Sequence, residues 1–418
     1  MADRKRVILA FIEYGRAEDE HYIEECRELC RAAGAEVVGI ISQRSRKADP
    51  HTGFRSGKVS ELITMCQELK ADQVIFCSDL PPAVISRLNT MMKPEVLDRT
   101  SLILLIFEQR ARSRQAKLQV EIASLKHTLS SYESEHEARS HERGGTAMNR
   151  GAGEMRSTSV HRHTEARIRD LQKDLKRISD RENEAEDRRK RNIIRRAAIV
   201  GYTNAGKSSL LNAVLRHTGI EERRVEEKDM LFATLDTSVR RIRCRSREFL
   251  LYDTVGFVSR LPHELVEAFN TTLSAAAQAN LLINVTDASD PMYREKKEIT
   301  LATMQQIGAG DIPVLSVYNK IDLVKEREEY PGIAVSCLTG EGLDTLLEQI
   351  TEMLYPAEVV MNCHIPYDRI GMLDRGRNTL RITVLDRDET GMYVKISGPR
   401  DFVRIFRPWM INEERITQ

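Results

Sequence analysis

Residues Gly201-Tyr202-Thr203-Asn204-Ala205-Gly206-Lys207-Ser208 decide how the central part of this chain folds. They follow an apolar run of strand length at 197–200 and precede residues 209–215, whose apolar side chains have helical spacing. A strand, a glycine-bounded loop and a helix form the context that a G-x-x-x-x-G-K-[ST] phosphate loop requires. The backbone N–H groups and the helix dipole would then face a phosphate chain. Lys207 is predicted to reach the β- and γ-phosphates, and Ser208 is predicted to bind Mg²⁺.

A second motif, Asp253-Thr254-Val255-Gly256, follows the predicted strand at 249–252. Asp253 is expected to hold Mg²⁺ through water. The Gly256 N–H is expected to contact the γ-phosphate and to sense its loss.

A third motif, Asn319-Lys320-Ile321-Asp322, follows the predicted strand at 314–318. The Asp322 carboxylate can accept two hydrogen bonds from the N1 and N2 edge of guanine, and adenine offers no such pair of donors. Lys320 is expected to pack its stem over the base, and Asn319 to tie the loop together. Ser336-Cys337-Leu338 follows the next predicted strand, where a backbone N–H would bind guanine O6. The predicted nucleotide is therefore GTP or GDP rather than ATP.

The segment Phe232-Ala233-Thr234-Leu235-Asp236 lies between the phosphate loop and Asp253. A switch segment needs one threonine to complete the Mg²⁺ shell, and Thr234 is the first choice, with Thr237 second. The predicted catalytic residues are Lys207, Thr234 and Gly256.

The residue after Asp253-Thr254-Val255-Gly256 is Phe257, where many GTPases have a water-orienting glutamine. Phe257 cannot polarise water, so intrinsic hydrolysis is expected on the order of 10⁻⁴ s⁻¹ or within a few decades above it, with a partner needed to order the site. A degenerate domain that only binds nucleotide is the alternative. The intact Lys207, Ser208, Thr234 and Asp253 argue against it.

The chain of 418 residues is too long for one typical core and is predicted to be a multidomain α/β protein. The predicted domains are an N-terminal α/β domain at 1–107, an antiparallel helical coiled-coil arm at 108–192, a P-loop GTPase domain at 193–355 and a small C-terminal α+β domain at 356–418. In the N-terminal domain, strands are expected at 7–12, 36–41, 73–77 and 101–107, and helices at 18–33 and 59–70. Strands alternating with helices favour a parallel sheet. In the C-terminal domain, a strand is expected at 359–365 and a hairpin at 379–397.

Two coiled-coil seams predict the helical arm. The first consists of Leu118, Ile122, Leu125 and Leu129, and the second of Ile168, Leu171, Leu175 and Ile178. The glycine-rich stretch 143–154 joins them and carries two arginines. It is either a flexible hinge or a tip that orders against a partner such as RNA, because glycine backbone and arginine can approach phosphates closely.

Net charge is +1, so any contact with nucleic acid must come from local patches. The seven cysteines are scattered without a C-x-x-C pair, which fits a reducing cytosol. No apolar run is long enough to span a bilayer. A cytoplasmic monomer is expected, with peripheral membrane association left open.

These motifs resemble those of the HflX family, a group of translational GTPases related to the Obg proteins. The resemblance includes the phosphate loop, Phe232-Ala233-Thr234-Leu235-Asp236 and Asp253-Thr254-Val255-Gly256-Phe257, together with the stretches 96–104, 107–112 and 118–121. It implies that the protein binds the large ribosomal subunit and splits or rescues stalled ribosomes. It also implies ribosome-stimulated hydrolysis and an arm whose loop points toward the peptidyl transferase centre. The family usually has G-P-G-E-T-x-x-E in that loop, whereas this chain has Gly151-Ala152-Gly153-Glu154-Met155-Arg156-Ser157-Thr158 and so a less rigid turn.

Two other functions remain open at this point. One is a ribosome-independent, GTP-dependent switch that acts on a protein partner. The other is a structural arm protein with a vestigial nucleotide site. Salt-sensitive cosedimentation with large ribosomal subunits would distinguish the ribosomal function from the switch that acts on a protein partner. Tight guanine-nucleotide binding would distinguish both of these functions from the structural arm protein.

Overall fold

The computed structural model describes residues 4–14, 19–142, 161–178, 180, 194–219, 238–244, 247–254, 256–258, 276–325, 329–356, 358–376 and 380–411. The chain forms two compact units, and along the described chain the first ends at residue 178. The first unit holds the N-terminal sheet and the helical arm, and the second holds the two remaining sheets. The boundaries of the four predicted domains remain predictions.

The first unit is built on a four-stranded parallel sheet with strand order β2-β1-β3-β4. Its elements before the arm are β1 Arg6–Glu13, α1 Asp19–Ala32, β2 Glu36–Arg44, α2 Ser56–Glu68, β3 Gln73–Phe76, α3 Pro82–Met91, β4 Glu95–Leu97 and α4 Arg99–Arg110. The central strands β1 and β3 are almost entirely buried, as a parallel sheet covered on both faces requires. Gly34 follows α1 with a φ of +78°, a left-handed conformation that suits the end of a helix.

The prediction of a strand at 101–107 is wrong, because these residues lie in α4. Asp98 starts this helix by accepting a hydrogen bond from the Ser101 N–H at 2.8 Å. Five of its six apolar residues at 102–107 are buried, including three in a row at Leu102, Ile103 and Leu104. A continuous run of apolar residues shows no 3.6-residue periodicity, so the sequence at 102–107 looks like a buried strand. The fourth strand is the short β4 instead.

The helical arm consists of α5 Arg114–Glu142 and α6, residues 161–178. The predicted seams meet: Ile122, Ile168 and Leu171 form a buried cluster, with Leu118, Leu125, Leu129 and Leu175 packed against it. Across the seam, the Arg167 guanidinium donates two hydrogen bonds to Glu121 Oε1, at 2.8 and 3.1 Å. The predicted tip at 143–154 lies outside the described residues.

The second unit begins with a six-stranded sheet of order β10-β9-β8-β5-β7-β6, in which β6 alone among the described strands is antiparallel to its neighbour. Its elements are β5 Arg195–Gly201, α7 Lys207–His217, β6 Ser238–Cys244, β7 Arg247–Asp253, β8 Leu281–Asp287, α8 Tyr293–Gln306, β9 Val314–Asn319, β10 Ile333–Ala334 and α9 Leu343–Leu354. Leu343, Leu346, Leu347, Ile350 and Leu354 of α9 bury one helical face in the core beside Ile199 and Ile283. The carboxyl ends of the parallel strands meet at one edge of the sheet, where an open α/β sheet binds its ligand.

A three-stranded antiparallel sheet follows, with order β11-β13-β12. Its strands are β11 Glu358–Pro366, β12 Arg381–Arg387 and β13 Gly391–Pro399. The predicted hairpin is present, since β12 pairs directly with β13. Cys363, Val394, Ile396 and Phe406 are central to its core.

Across both units, no helix within the described residues is long and apolar enough to cross a membrane.

Candidate nucleotide site

The phosphate loop connects β5 to α7 and depends on two glycines. Gly206 precedes α7 with a φ of +89°, a conformation that side chains other than glycine rarely adopt. A Cβ at Gly206 would collide with the Asn319 amide, and a Cβ at Gly201 would collide with the Val285 carbonyl oxygen. Both glycines are therefore required for close approach of the loop to neighbouring strands, independently of any ligand.

The Lys207 ammonium is folded back onto the loop. Its Nζ donates to the Tyr202 carbonyl at 2.7 Å, and the residue is only 7% exposed. Burial lowers the pKa of Lys207 to about 8, and the negative charge of Asp253 opposes this shift. A phosphate group bound at the loop would give the ammonium an anionic partner in place of the Tyr202 carbonyl.

Ser208 and Asp253 come together although 45 residues separate them in the chain. The Ser208 hydroxyl donates to Asp253 Oδ2 at 2.7 Å, and Asp253 is fully buried at the end of β7. A hydroxyl and a carboxylate so placed are hard oxygen ligands of the kind that Mg²⁺ prefers. The donor set of the described residues therefore fits the predicted cation.

Gly256 and Phe257 lie against the phosphate loop. The Thr203 N–H donates to the Phe257 carbonyl at 2.7 Å, and the Phe257 N–H donates to the Gly201 carbonyl at 3.2 Å. A Cβ at Gly256 would come within 2.8 Å of Lys207 Nζ, so Gly256 borders the ammonium; its contact with a γ-phosphate stays a prediction. The Thr254 hydroxyl donates to the Ile199 carbonyl at 2.7 Å, which anchors this segment to β5.

Asn319 joins the predicted base-binding loop to the phosphate loop. Its Nδ2 donates to the Ala205 carbonyl at 3.0 Å, and its Oδ1 accepts from the Cys337 N–H at 3.3 Å. One buried side chain thus connects three loops that follow β5, β9 and β10. The sequence predicted that Asn319 ties the loop together, and these contacts agree with that prediction.

The other members of the base-binding motif are also held in place. The Ser336 hydroxyl donates to Asp322 Oδ1 at 2.6 Å, which orients the carboxylate. Lys320, with a φ of +64°, forms an ion pair with Asp287 at 2.7 Å. Leu338 is 84% exposed beside this loop.

Asp287 was missed by the sequence analysis. It ends β8, and β8 pairs with β9 so that Asp287 lies opposite Asn319. Its position could have been recognised in the sequence, because Asp287 is a charged residue at the carboxyl end of a parallel strand, where ligand-binding residues lie. Its ion pair fixes the Lys320 side chain at the base-binding loop.

Several predicted site residues lie outside the described residues. They are Phe232, Ala233, Thr234, Leu235 and Asp236 of the switch segment, the alternative Thr237, and Val255. Among the described residues, no group of three or more histidine, cysteine or carboxylate side chains is arranged to bind a metal ion.

Three protein-family models match consecutive parts of the chain. A model described as "GTP-binding GTPase N-terminal" matches residues 20–108, and one described as "GTP-binding GTPase Middle Region" matches residues 110–191. A model described as "50S ribosome-binding GTPase" matches residues 196–320. The last match spans the phosphate loop and ends within the base-binding motif.

Several relatives that align over three quarters or more of this chain are named GTPase HflX. The protein from Caldanaerobacter subterraneus is 38% identical over 94% of this chain and 91% of its own length. The protein from Alkalihalophilus pseudofirmus is 38% identical over 77% of this chain and 75% of its own. The protein from Escherichia coli is 35% identical over 84% of this chain and 83% of its own.

Proposed function

The chain belongs to the HflX family of GTPases, and we propose that it couples GTP hydrolysis to binding of the large ribosomal subunit, where it splits or rescues stalled ribosomes. Its GTPase activity follows from family membership and from the GTPase-domain match. The observation that carries the ribosomal part is the match of residues 196–320 to a model described as a 50S ribosome-binding GTPase. The two-helix arm in the same chain supplies an element able to reach RNA.

Each site residue receives a role in this proposal. Gly201 to Ser208 wrap the phosphates, and Lys207 leaves the Tyr202 carbonyl to bind the β- and γ-phosphates. Asp322, held by Ser336, accepts the N1 and N2 hydrogens of guanine. Lys320 covers one face of the base, and the loop Ser336-Cys337-Leu338 contacts O6. The bridging amide of Asn319 keeps these two halves of the site at a fixed separation.

Mg²⁺ is the cofactor that this site would hold. Ser208 would bind it directly, Asp253 would bind it through water, and Thr234 would complete its shell. When bound, the ion neutralises the charge that develops on the phosphate oxygens. Ser208 and Asp253 already lie within 2.7 Å of each other, so these two ligands need little rearrangement.

The proposed cycle is an order–disorder change. With γ-phosphate present, the segments that contain Thr234 and Gly256 are held against it, and hydrolysis releases them. Gly256 is suited to this role because it borders the Lys207 ammonium and because a Cβ there would press against Lys207 Nζ and Thr203 Cγ2 at 2.8 Å. Release would lower affinity for the ribosome, so that nucleotide state controls dissociation. Intrinsic hydrolysis is proposed to be slow and stimulated by the ribosome.

The arm is proposed to contact ribosomal RNA through the tip at 143–154. The described part of the arm is held together by an apolar seam and by an Arg167–Glu121 pair across it. Arginine and glycine backbone at the tip would approach phosphates, so this binding should weaken as salt rises.

GTP turnover with and without purified large subunits tests the proposal. We expect stimulation of at least about tenfold, and cosedimentation with large subunits in a non-hydrolysable GTP analogue but much less in GDP. Replacing residues 143–154 by an uncharged glycine–serine linker should abolish stimulation and leave intrinsic turnover unchanged. As a matched control, Lys173→Ser on the exposed surface of the arm should change neither, because Lys173 pairs with Asp170 of its own helix and both side chains are exposed.

The outcome separates this function from its alternatives. Guanine-nucleotide binding without stimulation or cosedimentation would favour a switch that acts on a protein partner. Absence of binding to GDP and GTP in the presence of magnesium would refute the nucleotide site itself.

A further inference from the structure

A buried hydroxyl in the phosphate loop has no hydrogen-bond partner among the residues that the structure describes. Thr203 is 6% exposed, and its Oγ1 is fully buried without a donor or acceptor in reach. Buried polar groups in folded proteins nearly always have a partner, because an unpaired one is destabilising. Thr254 illustrates the ordinary case nearby, since its hydroxyl donates to the Ile199 carbonyl. The Thr203 hydroxyl is therefore a candidate for a hydrogen bond that forms only when substrate is bound.

The Thr203 side chain borders the groups proposed to contact the γ-phosphate. A Cβ built on Gly256 would lie 2.8 Å from Thr203 Cγ2 and 2.8 Å from Lys207 Nζ. The methyl group and the ammonium therefore approach the same glycine. Cγ2 and Oγ1 share one Cβ, so rotation of χ1 by about 120° would place the hydroxyl where the methyl group now faces Gly256.

The residue that orients the attacking water in many GTPases cannot do so here. That position is occupied by Phe257, whose apolar side chain is 2% exposed. Its backbone lies against the phosphate loop, since the Phe257 carbonyl accepts the Thr203 N–H at 2.7 Å. After the χ1 rotation described above, Thr203 would bring a hydroxyl to the part of the site that lacks the usual polar side chain.

We propose that Thr203 is a catalytic residue for GTP hydrolysis, whose hydroxyl accepts a hydrogen bond from the attacking water. The water oxygen forms a bond to the γ-phosphorus, and the bond between that phosphorus and the β–γ bridging oxygen breaks. The bridging oxygen leaves with the electron pair as part of GDP, and a proton of the water passes to the phosphate product. Thr203 orients the water without gaining or losing a proton. This inference rests on the proposed nucleotide site.

Single-turnover hydrolysis, with protein in excess over GTP, tests this role in two variants. Thr203→Val keeps the shape of the side chain and removes the hydroxyl, whereas Thr203→Ser keeps the hydroxyl. We expect the rate to fall roughly 10- to 100-fold in Thr203→Val and to stay within about threefold of wild type in Thr203→Ser. Affinity for GDP should be unchanged in both, because GDP lacks the γ-phosphate that the water attacks.

Thermal unfolding of the nucleotide-free protein adds a readout that needs no turnover. Thr203→Val should raise the Tm, because a methyl group replaces an unpaired buried hydroxyl. Thr254→Val is the matched control and should lower the Tm, because the Ile199 carbonyl loses its donor. If Thr203→Val both unfolded at a higher temperature and hydrolysed GTP more slowly, the Thr203 hydroxyl would be shown to destabilise the free protein and to assist hydrolysis.

Three results would overturn the inference. They are wild-type hydrolysis in Thr203→Val, an equal loss of rate in Thr203→Ser, and a loss of GDP affinity that matches the loss of rate. Each leaves the nucleotide site standing, since wild-type protein would still bind GDP. Failure of wild-type protein to bind GDP would instead refute the proposed function, which keeps the two failures distinct.

Discussion

Replacing Asn319 by alanine would break the contact that joins the phosphate loop to the base-binding loop. The substitution removes the hydrogen bond from Nδ2 to the Ala205 carbonyl at 3.0 Å and the bond from the Cys337 N–H to Oδ1 at 3.3 Å. Both partners are backbone groups of buried residues, so water does not readily replace the lost amide. We expect the nucleotide-free protein to lose stability and its affinity for GDP to fall.

The size of the effect follows from the two groups left without partners. Each unpaired buried group costs about 1–3 kcal/mol, and partial relaxation of the loops brings the sum to about 3 kcal/mol. For a folding unit of this size, that loss lowers the Tm by roughly 6–12 °C. Loops that must be ordered again on binding should reduce GDP affinity by about 10- to 100-fold.

Asn284 provides a matched control on the neighbouring strand β8. Asn284 and Asn319 are each 1% exposed, but both polar side-chain atoms of Asn284 are without a partner among the described residues. Asn284→Ala therefore removes the same atoms without breaking a hydrogen bond. We expect a small change in Tm and an unaltered affinity for GDP.

Differential scanning fluorimetry and titration with a fluorescent GDP analogue measure the two quantities. The decisive result is the difference between the variants. If Asn319→Ala and Asn284→Ala lost equal stability and retained equal GDP affinity, the bridge would contribute nothing and the reasoning would be refuted.

Three further predictions concern the base, the ammonium and the arm. Asp322→Asn should weaken GDP binding by about 100-fold and favour xanthine nucleotides, since the amide complements xanthine's altered edge. If competition binding showed unchanged selectivity for guanine, Asp322 would not be the residue that recognises the base. Because burial lowers the pKa of Lys207 to about 8, the nucleotide-free protein loses this charge as pH rises through that value. GDP affinity should then fall by up to about tenfold per pH unit above 8. Between about pH 8 and 10.5 the unfolded chain binds more protons than the folded protein at Lys207, so the contribution of Lys207 to the free energy of unfolding should increase with pH. A flat affinity profile from pH 7 to 9.5 would contradict the assignment, and Lys207→Met should show such a profile at much weaker binding. Leu171→Ala should destabilise the arm by about 2–4 kcal/mol, because it removes a buried side chain from the seam. Amide hydrogen exchange in residues 161–178 should become faster, while GDP affinity stays the same. Unchanged exchange would show that the seam does not stabilise the arm.

The sequence alone determined the order of the chemical motifs and the elements that carry them. A phosphate loop has a fixed spacing of glycine, lysine and serine because its backbone must curl around phosphates, and this spacing is visible without a structure. The seams of the arm were equally visible, since the apolar residues within each seam recur at helical spacing. Ile122 of the first seam and Leu171 of the second are both buried in the core of the arm. Asp322 was assigned to guanine from the chemistry of one carboxylate.

Tertiary structure alone decided the features that depend on burial and on contacts between distant residues. Helix α4 has the composition of a buried strand, and only its packing together with the Asp98 cap distinguishes the two. The lowered pKa of Lys207 comes from desolvation, which no spacing of residues encodes. The pairing of Asp287 with Lys320 and the isolation of the Thr203 hydroxyl also appear only when strands and loops meet at one edge of the sheet. Motifs are local and can be recognised in sequence, whereas the environment of each side chain is set by neighbours far along the chain.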